Sequence, residues 1–161
     1  MDALLIVALS IIAVYIAATI AIYGEIPISI SNTYYIWREK FGFRLLFSFV
    51  MWAVGILVVI YWESKCAGRY EWLPFLSVAG MGFVGAASAY KETLTAGTHY
   101  TAAAIWAGSA IAFFALIGDW PSIVAGLLFG AACFACNRFR NLTFWAEISV
   151  VMMMFVGLKC L

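Results

Sequence analysis

The chain offers few side chains able to bind, titrate or attack, and they gather in short clusters. His99 is its one histidine. An imidazole changes charge near neutral pH and can act as base, ligand or proton carrier. Glu147 is set among Phe144, Trp145, Ala146 and Ile148, so its carboxyl needs a partner; His99, Lys91 and Arg140 are the candidates. Lys91 and Glu92 form a second cluster, and Glu25, Ser29, Ser31, Tyr34 and Tyr35 a third. Two chemistries follow. In one, His99 and Glu147 titrate or ligate while Lys91 holds an anion, which suits binding or moving a small ligand, a lipid headgroup or a proton. In the other, Ser29 or Ser31 is a nucleophile, His99 its base, and Glu92 or Glu147 orients the ring. No G-x-S-x-G elbow accompanies these serines. Against both stands a structural reading. There His99 caps a helix, Lys91 and Glu92 are solvated loop charges, Glu147 belongs to a buried pair, and the serines make turns.

A single histidine cannot furnish a histidine-based zinc site within one subunit, and no metal site is expected. A P-loop, a dinucleotide fingerprint and a haem-type histidine pair are absent, so no cofactor is implied. Cys133 and Cys136 form a C-x-x-C inside an apolar run, with no second pair nearby. At i and i+3 of a helix they read as small apolar residues. Cys66 and Cys160 both fall on the side read below as outer, where a disulfide persists, and they are the candidate pair. Asn141-Leu142-Thr143 spells a glycosylation sequon, discounted because it falls on the inner side at a helix start.

Composition determines which elements must position these groups. Of 161 residues, 66% are hydrophobic and 11% charged, with a mean hydropathy of +1.04. A soluble domain carries about 25% charged residues, so this chain has too little polar surface for water and suits hydrocarbon. In a bilayer core every backbone polar group must be satisfied internally, which leaves helices or a closed barrel. Barrel strands alternate over segments of about 10 residues; the runs here are continuous. Six can be placed, at about 3–23, 44–62, 73–90, 99–117, 121–136 and 143–160. Each crossing needs ~20 residues, which leaves about 40 for loops and no room for a soluble domain. The expectation is an all-α, compact bundle of about six transmembrane helices forming one domain, 1–161. The first run is too long for a signal peptide, no Lys or Arg precedes it and no cleavage site follows, so it reads as a retained helix. Tyr23, Tyr34, Tyr35, Trp37, Trp62, Trp72, Trp120 and Trp145 fit an interfacial aromatic belt.

The loops after the first, third and fifth runs hold Arg38, Lys40, Arg44, Lys91, Arg138 and Arg140; the other side holds Lys65, Arg69 and Lys159. That bias places both termini outside and the polar clusters at the cytoplasmic face of a cell membrane, with a bacterial inner membrane expected. Membrane lipids are then partners. The absence of a basic run argues against nucleic acid. Between the first two runs, Glu25 to Ser31 alternates polar and apolar around Pro27, which ends the helix. Ser31, Asn32 or Thr33 can cap a new helix from Tyr34, an amphipathic stretch lying on the inner leaflet. Small residues recur at spacings of four: Gly126 with Gly130, Ala104 with Gly108 and Ala112, Gly82 with Ala86, Gly85 with Ala89. They read as close packing within the bundle, with a homo-oligomer or a partner membrane protein as the alternative, in which case the chain is a structural or accessory subunit.

Two resemblances bear on the clusters. Glu25-x-x-x-Ser29-Ile30-Ser31-Asn32 resembles the Glu…Ser-Asn segment of alkaline ceramidases and related membrane hydrolases. That family is seven-helix and holds zinc with three histidines; this chain departs from it in having His99 alone, so the zinc chemistry is not carried over. Ile26-Pro27-Ile28-Ser29-Ile30-Ser31 with Tyr34-Tyr35, Tyr90-Lys91-Glu92 and His99 looks like a group of small uncharacterised six-helix membrane proteins, bacterial and phage-associated. That resemblance implies no activity, but it implies that these positions form one site.

Overall fold

A computed structural model describes residues 2–66, 68–89 and 91–161, and the backbone alone of Thr93 and Leu94. Among the described residues there are seven helices and no strand: α1 (Asp2–Tyr23), α2 (Thr33–Phe41), α3 (Leu46–Cys66), α4 (Trp72–Ala86), α5 (Thr93–Leu116), α6 (Trp120–Cys136) and α7 (Leu142–Cys160). The chain is all-α, and α1, α3, α5 and α7 are long and apolar enough to cross a membrane. Helices α4 and α6 are shorter, at 15 and 17 residues.

Local chemistry sets several of the ends. Asp119 accepts the Ser122 N–H at 3.3 Å and Pro121 occupies the first turn of α6, where a missing N–H costs nothing. Helix α2 closes at Gly42, whose φ of 72° lets its N–H reach the Arg38 carbonyl at 3.0 Å. Two ends differ from those expected. The 73–90 run ends its helix at Ala86, and the helix expected from 99 begins at Thr93. Hydropathy cannot see either end. Alanines continue past α4 although the backbone has turned, while polar Thr93 and Thr95 are already helical because residues 95 and 96 donate to the Glu92 carbonyl. His99 therefore lies inside α5 and does not open it.

Helix α3 packs on α1 and α4, α4 on α5, and α6 on α7, whereas α5 and α7 meet only slightly. Short connections force neighbours to run antiparallel. At one end Asp2 pairs with Lys159 at 3.0 Å and accepts from the Tyr61 hydroxyl at 3.1 Å, so the start of α1 and the ends of α3 and α7 meet there. Residues 24–43, 87–89, 91–92 and 137–141 gather at the opposite end. The core beside the Asp2 end is aromatic: Trp62 stacks on Phe114 at 5.6 Å and meets Phe113 edge-on at 5.0 Å. Gly126 and Gly130 let α6 approach Ser149 and Met153 of α7, and Gly80 lets α4 reach the backbone at Trp106. The Ala104–Gly108 repeat faces outward instead. All four cysteines are free. Cys66 points into the core and Cys160 is exposed on the last turn of α7, so the expected pairing is not formed.

Candidate functional site

Residues 26–30 lie along the first turns of α7, 115 or more positions later in the chain. Three contacts hold them: Asn141 Nδ2 donates to the Ile26 carbonyl at 2.8 Å, the Phe144 N–H to the Ile28 carbonyl at 3.1 Å, and the Ile30 N–H to Glu147 Oε2. The Phe144 N–H is one of the orphan donors that every helix start leaves, and the returning segment satisfies it. Pro27 is fully buried and brings no N–H of its own. The far side of the segment is tied to α1 and α2. Ser29 Oγ accepts the Asn32 N–H at 3.0 Å, Thr33 Oγ1 donates to the Ile30 carbonyl at 2.5 Å, and the Tyr15 hydroxyl lies 2.7 Å from Thr33 Oγ1.

This anchoring places Ser31, which is buried, against His99, which is 3% exposed. His99 Nδ1 is 2.9 Å from the Ala87 carbonyl oxygen, and Nε2 is 3.0 Å from Ser31 Oγ. A carbonyl can only accept, so Nδ1 carries a proton. In the neutral ring Nε2 then presents its lone pair to the Ser31 hydroxyl, a tautomer assigned from the bonding pattern. Ala87 follows the last turn of α4, where carbonyls lack helical partners, so the ring also closes the α4–α5 corner. On its other side Ser31 adjoins the Glu147 carboxyl. One serine hydroxyl thus stands between an imidazole and a carboxyl group.

A cavity of about 390 Å³ opens beside these groups, between α5 and α7 where the two helices barely touch. Ser29, Ser31, His99, Tyr100, Thr143 and Glu147 supply its polar wall; Ala103, Trp106, Ala146 and Val150 are among its apolar residues. Its size falls in the range of small-molecule sites. A separate void of about 20 Å³, room for one water, lies across Ser31 and Glu147 in the bundle interior.

The structure thus brings together His99, Ser29, Ser31 and Glu147. It does not bring Lys91 or Glu92 to them. Both are exposed, held to α2: the Lys91 ammonium sits 4.3 Å from the centre of the Tyr35 ring, the Lys91 N–H donates to the Tyr35 hydroxyl at 2.7 Å, and Glu92 lies 3.9 Å from Arg38. Burial pushes the Tyr35 phenol above its ordinary value. Tyr34 is buried edge-on against Tyr35 at 4.9 Å, and Glu25 is exposed. Tyr90 lies outside the described residues. Glu147 takes none of the charged partners expected for it, because the extended segment reaches it first with a backbone N–H. Sequence reasoning missed Ala87, Tyr100, Trp106 and Thr143. Trp106 at i+7 from His99 and Thr143 at i−4 from Glu147 share their helix faces, a spacing that could have found them; a backbone carbonyl such as that of Ala87 leaves no such trace. Among the described residues no three His, Cys, Asp or Glu side chains group to hold a metal ion. Comparisons with family models, with curated proteins and with solved structures each gave no match.

Proposed function

We propose that this protein is a six-pass integral membrane protein that binds the polar head of an amphiphilic lipid at the cytoplasmic end of its bundle. The observation that carries the reading is the hydrogen-bonded His99–Ser31 pair, with Glu147 beside it, at the head of a cleft open sideways between two helices. In water such an opening would expose apolar walls. In a bilayer it faces molecules that combine a polar end with an apolar one.

The membrane setting rests on surface chemistry. Ile6, Val14, Phe49, Trp52, Leu127 and Leu128 all lie exposed on the perimeter, far more apolar surface than a soluble monomer shows. Helix α4, with 15 residues, spans about 22 Å against a hydrocarbon core of about 30 Å. Local thinning and support from α3 and α5 accommodate that mismatch. Six Lys and Arg residues at the site end against three at the other support a cytoplasmic site, with α2 along the interface. Binding is favoured over passage because the other half of the bundle is closed around Trp62, Phe113 and Phe114, each 1% exposed or less.

The test is native mass spectrometry of the protein purified from membranes and exchanged into vesicles of phosphatidylethanolamine and phosphatidylglycerol. Retained lipid is expected on the unaltered protein. Ala146→Trp fills the cleft from an exposed position and should remove that lipid while leaving the thermal midpoint in place. A protein that carries no lipid, or carries as much after Ala146→Trp, would count against the reading.

A further inference from the structure

We propose that Ser31 is a nucleophile with His99 as its general base, and that the substrate is a long-chain acyl ester whose carbonyl meets Ser31 while its chain lies in the α5–α7 cleft. This deepens the lipid-binding reading and rests on it. Four observations converge. Ser31 Oγ and His99 Nε2 are 3.0 Å apart, within the reach needed for proton transfer. The Ala87 carbonyl holds Nδ1–H, so the lone pair of a neutral ring faces the serine, and the ring has the third group that orients a base. Both side chains line the same cavity. Ala146 and Val150 of its apolar wall also line a neighbouring groove of about 460 Å³ with Ile111, Leu127 and Met153. A polar head flanked by apolar grooves suits a single-chain acyl group with its carbonyl at the polar end.

The steps balance without any oxidant, reductant or cofactor. Nε2 takes the Ser31 proton as Oγ attacks the ester carbonyl carbon. The bond from that carbon to the alcohol oxygen breaks, and the proton passes from Nε2 to the departing alkoxide. The acyl group is then on Ser31 Oγ. A water gives its proton to Nε2, attacks the acyl carbon and releases the fatty acid, and the proton returns to Ser31. The sum is ester plus water giving acid plus alcohol.

The experiment uses the whole chain in vesicles with a long-chain alkyl fluorophosphonate. Its phosphorus–fluorine bond is exchanged for a bond to an activated serine oxygen, and peptide mass spectrometry locates the adduct. Ser31 should carry it, Ser31→Ala should carry none, and Ser64→Ala, exposed on α3 at the far end of the bundle, should label as the unaltered protein does. His99→Gln should label about a hundredfold more slowly, the scale of a lost general base. Ala146→Trp should slow the long-chain probe more than a short-chain one. An unaltered protein with its normal thermal midpoint and retained lipid but no adduct on Ser31 overturns the nucleophile and leaves lipid binding standing. Equal labelling of His99→Gln and the unaltered protein overturns the base. Adduct on Ser31 without chain-length dependence and without retained lipid overturns the lipid substrate.

Discussion

At the scale of single residues, the bond between the Ile30 N–H and Glu147 matters most. A buried backbone donor left without an acceptor costs about 1–3 kcal/mol, more than the net worth of the bond itself. Glu147→Ala should therefore lower stability clearly, while Glu147→Gln keeps a carbonyl oxygen for Ile30 and should lose less. Thermal unfolding in detergent tests the order; Gln as costly as Ala would detach Glu147 from Ile30. Ser31→Ala removes one hydrogen bond from His99 and should cost about 1 kcal/mol, since the ring keeps its bond to Ala87. The chemistry-bearing types at positions 29, 31, 99 and 147 were legible in the sequence because few polar groups interrupt its apolar runs. For Lys91 and Glu92 the structure matches the reading as solvated loop charges, and for a physical reason. They lie near His99 in the chain, but a buried imidazole and two exposed charges do not share an environment. The charges went to Tyr35 and Arg38, which leave them in solvent.

At the scale of elements, glycine separates contact from appearance. A Cβ at Gly126 would lie 2.6 Å from the Met153 Cβ and 2.7 Å from the Ser149 carbonyl. Gly126→Ala should thus lose about 1–3 kcal/mol through forced separation of α6 from α7. A Cβ at Gly108 would meet nothing within 4 Å. Gly108→Ala should leave stability unchanged or raise it by up to about 1 kcal/mol, the helix-propensity difference. Comparing the two unfolding midpoints checks both; a loss at Gly108 as large as at Gly126 would indicate that α5 packs against another chain. Helix identity was legible because each run is long and continuous, and the turn of chain at Pro27 followed from a local rule; the helix after Asn32 lies where a cap was expected, but Asn32 makes no side-chain cap and Ser29 Oγ accepts its N–H instead. The docking of residues 26–30 on α7 was not legible. It depends on the Phe144 N–H and the Asn141 and Glu147 side chains meeting backbone groups far away in sequence, and no periodicity within either segment records that.

At the scale of the whole molecule, the ion pair between Asp2 and Lys159 holds the start of α1 and the end of α7 at one end of the bundle, and the proposed topology has that end outside. Exposed Cys160 should react with a membrane-impermeant maleimide on intact cells, whereas a cysteine in place of Arg140 should react only after the membrane is opened. The reverse pattern would turn the bundle over and place the cleft outside. The three contacts of Asn141, Phe144 and Glu147 with the 26–30 segment also order events in time. The ribosome makes Ser31 long before the wall opposite it on α7. Until α7 emerges, Ser31 and His99 have no closed pocket around them, and a chain broken off before position 141 carries both residues without a place to use them. On the proposed reading, the serine is presented to lipid only once α7 has closed its side of the cleft.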